Sequence, residues 1–133
     1  MTDFDVDPEE ILAFHVDDEY LFSHYFERQD VFEDLQEYYN REAYRFEVSK
    51  EEFEDVQHCL QEAYYDPTVV EDLEPYRVIK EKYTEHAEIL QHSVLHWERG
   101  DYNFFLMKDD LAVKDALERG AMKLAETDKV AGL

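Results

Sequence analysis

The chain has little cysteine, glycine or proline and few basic residues, and each shortage excludes a class of protein. Its 133 residues include one Cys, three Gly and three Pro. One Cys excludes an internal disulfide framework and a zinc site built on cysteine pairs. Three scattered Gly leave no glycine-rich loop to hold a phosphate. No apolar run approaches the roughly eighteen residues of a membrane span, and the acidic first ten residues do not read as a signal peptide, so we expect a cytoplasmic protein.

Acidic residues are abundant. The chain has 35 Asp and Glu against 13 Lys and Arg, a formal net charge of -22, together with 44% hydrophobic and 15% aromatic residues. The apolar content is enough for a folded core. Such a charge is tolerated best at molar salt, where the Debye length falls to about 3 Å. The composition therefore resembles that of proteins from halophilic archaea. A nucleic-acid mimic and an acidic partner of a basic protein are the alternatives.

The negative charge is concentrated in the first part of the chain. Residues 1–40 carry 13 acidic side chains and one basic, and residues 41–75 carry 11 and three, whereas residues 76–133 carry 11 and nine. A uniform adaptation to salt does not predict this gradient. We interpret the weakly acidic last part as the region that contacts a partner.

Hydrophobic periodicity and turn residues predict the elements. Asp7 and Pro8 open two or three short helices within residues 8–39, and a strand follows at 44–48. A capping box of Ser49 and Glu52 starts the next helix. Two strand-like runs at 68–71 and 76–81 read as a hairpin, followed by a helix over 84–99, a strand over 102–107, a helix from Asp109 and a short final strand within 121–125.

Over residues 43–107 the predicted order is strand, helix, strand, strand, helix, strand. This order resembles the split βαβ arrangement of ferredoxin-like domains, which is shared by many unrelated activities and implies no function. We therefore expect a single α+β domain over 1–133. It would comprise a helical N-terminal extension over 1–40, a body over 41–125 that ends in a C-terminal helix, and a tail over 126–133.

One group of residues has the spacing of a metal site. On a helix over 84–99, the side chains of Glu85, Glu88, His92 and His96 would share one stripe. Imidazoles and carboxylates on adjacent turns are ligands for a divalent transition metal such as zinc, iron or manganese. The stripe would face away from the apolar residues of the same helix. A solvated row of Glu–His pairs is therefore the competing interpretation.

Other chemistry is poorly supported. Cys59 lies on an acidic helix that would raise its thiol pKa, so we expect a small core residue and not a nucleophile. The aromatic residues of the strands at 43–48 and 102–107 share faces with aliphatic residues, which favours a core over base stacking. No nucleophile motif is present, and we expect no catalytic residue and no cofactor.

Four basic residues are the candidate partner-binding set. If the strands follow the ferredoxin-like order, the open sheet face would gather Arg45, Arg77, Lys80 and Lys108. Pairing of these bases within the chain, with Glu47, Glu81 and Asp109, is the competing interpretation. Depletion of repulsive charge helps most at an interface. The leading hypothesis is a small non-catalytic interaction or regulatory protein that docks a protein partner or a second copy of itself, with no membrane and no direct nucleic-acid binding. A metal-dependent protein using the Glu/His stripe is one alternative, and a virus- or plasmid-encoded nucleic-acid mimic or structural protein is another.

Overall fold

A computed structural model describes residues 8–127, which form two β-sheets and four helices. The predicted α+β class is confirmed. In chain order the elements are β1 Glu9–Val16, β2 Glu19–Phe22, α1 Gln29–Leu35, β3 Tyr39–Asn40, β4 Arg45–Ser49, α2 Phe53–Glu62, β5 Tyr65–Val70, β6 Arg77–Glu81, α3 Ala87–Gln91, β7 Ser93–Arg99, β8 Tyr102–Met107, α4 Asp110–Glu118 and β9 Met122–Lys123.

The first sheet has the strand order β3-β4-β2-β1-β5, with β1 parallel to β5 and the other pairs antiparallel. Because side chains alternate along a strand, each strand presents one set of residues to each face. One face packs under α1 and α2, which contribute Val31, Leu35 and the apolar stripe of α2 to a shared core. Phe46 and Phe22 stack at the centre of this core, with ring centroids 4.8 Å apart.

The second sheet has the order β7-β8-β6-β9 and is antiparallel throughout. Helices α3 and α4 cover part of one face, where Ile89 and Val113 pack against Val78, Phe105 and other sheet residues. Asp109 begins α4 as its N-cap, because its Oδ1 accepts a hydrogen bond from the Ala112 backbone N–H at 2.7 Å.

The two sheets pack against each other through their remaining faces. Leu12, Phe14 and Leu21 of the first sheet contact Val94 and Leu106 of the second in one buried cluster. The molecule is therefore layered in the order helix, sheet, sheet, helix.

The N-terminal helices predicted within residues 8–26 are wrong, because these residues form the strands β1 and β2. β1 lies between β2 and β5 and is buried on both faces over residues 11–14, so that stretch is continuously apolar instead of alternating. Asp17, at φ 56°, makes the turn to β2. Residues 8–40 are thus an integral part of the first sheet and not an extension. The predicted cap Asp7 lies outside the described residues, as does the tail from residue 128.

The helix predicted over 84–99 is also wrong for its second half, after Gln91. α3 ends at Gln91, and residues 93–99 form β7, which pairs antiparallel with β8. Gly100, at φ 63°, supports a tight hairpin turn followed by Asp101. The same glycine is compatible with a helix end, which is why the sequence allowed both structures.

The predicted hairpin of residues 68–81 does not form, because β5 and β6 belong to different sheets. The connection between them carries Leu73 and Tyr76, which pack into the cluster between the sheets. The ferredoxin-like arrangement is therefore not confirmed, since the strands of residues 43–107 divide between two sheets and β4 is not a neighbour of β8.

Candidate interaction surface

The charge gradient of the sequence coincides with the layered fold. Residues 8–75 build the first sheet with α1 and α2, and we call them the acidic half. They carry 21 acidic and four basic side chains. Residues 76–127 build the second sheet with α3 and α4, and we call them the near-neutral half. They carry ten acidic and eight basic side chains. One end of the molecule therefore holds most of the negative charge.

The larger of the two clefts in the near-neutral half runs beside α4, and we call it the α4 groove. It has a volume of about 520 Å³. Leu111 is 75% exposed and forms part of its wall. Its charged and imidazole lining consists of His92, Lys108, Asp109, Lys114, Asp115, Glu118 and Arg119. The groove therefore combines one exposed leucine with charges of both signs.

A second cleft of about 260 Å³ adjoins the groove through Arg119, and we call it the α3 cleft. Lys80, His86 and Glu88 line it, together with Glu85 and further residues of α3. The Lys80 Nζ donates to the Thr84 hydroxyl at 3.0 Å. Its carbon chain lies against Gly120, which has φ 101° and ends α4. A side chain at position 120 would be strained, so this glycine lets α4 end beside Lys80.

Basic side chains that line these clefts are mostly without carboxylate partners. Within residues 8–127, Lys82 pairs with Glu98 and Arg119 with Asp115, at 3.1 and 2.8 Å. Lys80, Lys108 and Lys114 make no ion pair within the same residues. In a chain with nearly three acidic residues for each basic one, these three lysines make no ion pair among residues 8–127, although carboxylates line the same two clefts.

The structure disperses the four bases predicted to bind a partner. Arg45 and Arg77 belong to different sheets. The Arg45 Nε donates to Glu47 at 2.7 Å, and its Nη1 donates to the Val94 carbonyl at 2.9 Å, so this side chain ties the first sheet to the second. Arg77 and Lys80 point to opposite faces of β6, since they are three positions apart and side chains alternate along a strand. The predicted common sheet face does not exist, and Lys80 and Lys108 reach the two clefts instead.

The Arg77 guanidinium has one buried atom without a partner. Its Nε makes no hydrogen bond within the described part of the chain. Arg77 lies opposite Leu106 in the sheet register and therefore points to the side that faces the first sheet. Because of this position, Arg77 lines neither the α4 groove nor the α3 cleft.

The four candidate metal ligands do not form a site. Glu85 and Glu88 line the α3 cleft, His92 lines the α4 groove, and His96 lies on β7. The predicted stripe required a continuous helix, and α3 ends before both histidines. Within residues 8–127, no group of three or more His, Cys, Asp or Glu side chains could hold a metal ion.

His96 and His86 have structural partners instead. His96 Nε2 lies 2.9 Å from the side-chain oxygen of the buried Asn103, and its ring stacks on Phe105 at 4.9 Å. The His86 ring lies 6.0 Å from that of His96, and its Nδ1 lies 3.0 Å from the Thr84 carbonyl. These contacts fix both rings over the second sheet.

Cys59 and most of the strand aromatics lie in or beside the cores. Burial raises the pKa of the Cys59 thiol, and Asp34 and Glu62 raise it further, which opposes nucleophilic reactivity. Phe46, Phe104 and Phe105 are buried in the cores. Tyr44 is partly exposed, but it precedes β4.

Sequence reasoning missed Leu111, Lys114 and Arg119 as surface residues of interest. A signal was present, because Leu111 lies outside the apolar stripe of α4 formed by Val113, Ala116 and Leu117. A leucine off the stripe of an amphipathic helix marks an exposed apolar position.

Comparisons with known proteins identify no family for this chain. It matches no protein-family model, and neither the curated proteins nor the solved structures include a significant match. In the described residues, every helix is too short or too polar to cross a membrane.

Proposed function

We propose that this chain is a non-enzymatic interaction protein of a high-salt cytoplasm that docks an acidic segment of a partner protein in the α4 groove. One observation carries the proposal: Lys80, Lys108 and Lys114 lie in adjoining clefts of the near-neutral half, each without a carboxylate partner in residues 8–127. The docking region is still the less acidic half that the sequence predicts, but its centre lies at α4 and not on the sheet.

The chemistry of the groove supports a partner segment with both apolar and acidic groups. Leu111 offers apolar surface that the fold leaves exposed. At molar salt the Debye length is about 3 Å, so only charges in direct contact contribute to binding. Lys108 and Lys114 can make such contacts with partner carboxylates, because neither makes an ion pair in the part of the chain that the structure describes.

The outer surface of the acidic half supports the proposed high-salt setting. Exposed carboxylates cover the helical layer of that half, namely Asp30, Glu33, Asp34, Glu37, Glu51, Glu52, Glu54, Asp55 and Glu62. Their mutual repulsion is long-range in dilute buffer and short-range in molar salt. We infer a halophilic archaeal source from this surface.

Charge reversal tests the docking surface. The double variant Lys108→Glu with Lys114→Glu should recover at least tenfold less of the bound partner from host cytoplasm at its native salt concentration. Arg41→Glu with Lys50→Glu is the matched control, because it changes the net charge equally through exposed bases of the acidic half. The control should recover as much partner as the wild type. An equal loss in both variants would refute the groove as the docking site.

A second candidate function is a nucleic-acid mimic or a partner of a basic protein, and the nine carboxylates of the α1 and α2 layer favour it. A mimic would bind through that layer. Replacing Glu33, Glu37, Glu54 and Glu62 with Gln would then release the partner, whereas reversing Lys108 and Lys114 would leave binding intact.

A further inference from the structure

The two halves of the molecule have separate hydrophobic cores. The core under α1 and α2 is built from residues within 11–65, and the core under α3 and α4 is built from residues within 76–121. Among the described residues, neither core contains a side chain of the other half. Each half therefore has its own sheet, its own helices and its own core, which are the features of a segment that unfolds as a cooperative unit.

The seam between the two sheets is mainly apolar. Leu12 and Phe14 of the first sheet lie in one buried cluster with Val94 and Leu106 of the second. The Arg45 Nη1 adds a hydrogen bond across the seam to the Val94 carbonyl, at 2.9 Å. Each ion pair between residues of the described range 8–127 joins two side chains of the same half. Electrostatic attraction between charged side chains therefore does not hold the halves together.

Electrostatic self-repulsion acts on the two halves unequally. The acidic half carries 21 acidic against four basic side chains, whereas the near-neutral half carries ten against eight. An excess of like charge destabilises a compact unit, and this repulsion reaches roughly 30 Å at about 0.01 M salt but only about 3 Å at 1 M. Removal of salt should therefore weaken the acidic half much more than the near-neutral half.

We propose that the acidic half is a salt-sensitive switch. Below a threshold salt concentration it unfolds, the near-neutral half stays folded, and the face of the second sheet that carries Leu106 is uncovered. This inference does not depend on docking in the α4 groove, because α4 lies on the opposite face of that sheet.

The near-neutral half keeps its own contacts when the first sheet is lost. Its four strands pair only with each other in the described part of the chain, over residues 77–123. Ile89 and Val113 still pack against Phe105 on the side that α3 and α4 cover. Unfolding of the acidic half removes the contacts of Val94 and Leu106 across the seam but breaks no strand pair of the second sheet.

Hydrogen exchange of the full chain tests the switch, read by mass spectrometry from about 2 M to about 0.01 M KCl, a range of Debye lengths from below 3 Å to roughly 30 Å. Peptides from β1, β2 and α2 should lose at least tenfold protection at a KCl concentration where peptides from β6, β8 and α4 keep theirs. Simultaneous loss in both halves would overturn the proposal. Earlier loss in the near-neutral half, or full protection of both halves in dilute buffer, would also overturn it.

Charge variants test whether the charge of the acidic half itself sets the threshold. Glu33→Lys with Glu54→Lys should lower the KCl concentration at which the acidic half loses protection, because both side chains are exposed on its helices. Glu85→Lys with Glu118→Lys is the matched control, since it changes the net charge equally through exposed residues of the near-neutral half. The control should shift this threshold by less than half as much. Equal shifts would show that the total charge of the molecule sets the threshold and would refute the switch.

Discussion

Three tyrosines hold backbone angles that side chains with a Cβ rarely adopt. Tyr44, Tyr64 and Tyr83 have φ of 56°, 73° and 67°, and each is exposed in a turn next to a strand or helix. The left-handed conformation costs a residue other than glycine about 1–2 kcal/mol. These turns therefore store strain that the packing of the neighbouring strands maintains.

Replacing Tyr83 with glycine should relieve this strain. Tyr83 is 96% exposed, so little packing is lost, and we expect Tyr83→Gly to raise the free energy of unfolding by about 0.5–1 kcal/mol after the entropic cost of glycine. Tyr25 is 80% exposed without a positive φ, so Tyr25→Gly should lower it by a similar amount. Urea unfolding at fixed molar salt measures both. A loss of stability in Tyr83→Gly equal to that in Tyr25→Gly would contradict the account.

His24 should make folding sensitive to mild acid. Burial lowers the pKa of His24 below its ordinary value of 6.5, and this outweighs the opposing effect of Glu9. The unfolded chain then binds a proton more readily, so the stabilisation is complete above about pH 6.5 and falls as pH drops toward the folded pKa. The urea midpoint of His24→Gln should change less than that of the wild type over this range. His58→Gln, on the exposed surface of α2, should keep the wild-type pH dependence; identical pH profiles for His24→Gln and the wild type would contradict the prediction.

At the level of elements, the sequence predicts a strand or a helix best where the pattern of apolar side chains matches the one face that the fold buries. β4 alternates because one of its faces lies on the helices, and α2 shows its stripe because Phe53, Val56 and Leu60 enter one core. β1 and β7 were mistaken for helices. β1 is buried on both faces, and β7 has its apolar residues at spacings that also fit a helix, so periodicity does not distinguish the two structures.

The stability of helix α4 depends on Asp109, the N-cap residue that precedes it. The Asp109 carboxylate accepts a hydrogen bond from the Ala112 N–H at 2.7 Å. Asp109→Ala should lower the free energy of unfolding by about 1 kcal/mol, the usual cost of losing an N-cap. Asp110→Ala keeps the cap and removes only a first-turn charge, with a loss of a few tenths of a kcal/mol. Denaturant titration compares them, and equal losses would show that the cap contributes nothing specific.

For the whole molecule, the separation of charge into two halves predicts where salt acts. Raising KCl from about 0.01 M to 1 M shortens the Debye length from roughly 30 Å to 3 Å and should raise the unfolding midpoint. Replacing Glu33, Glu37, Glu54 and Glu62 with Gln should flatten this dependence. The same change at Glu85, Glu88, Glu118 and Glu126 in the near-neutral half should have a smaller effect. Equal flattening would contradict the separation.

The candidate surface was predictable only in outline. The charge gradient can be counted directly from the sequence. The fold preserves it because all strands of the first sheet come before residue 76. The individual residues depend on the sheet register. Arg45 was expected on the surface and instead bridges the sheets through Val94, while Leu111 and Lys114 gain their importance from a groove that only the packed helices create.

The central claim is that the near-neutral half carries the docking surface, and photo-crosslinking measures this most directly. A benzophenone amino acid would replace Leu111 in the α4 groove or Tyr25 in the acidic half, two apolar positions of similar exposure. In host cytoplasm at native salt, the account predicts a crosslinked product from position 111 whose partner segment is rich in Asp and Glu, and none from position 25. Products from position 25 alone, or a basic partner segment at position 111, would contradict it.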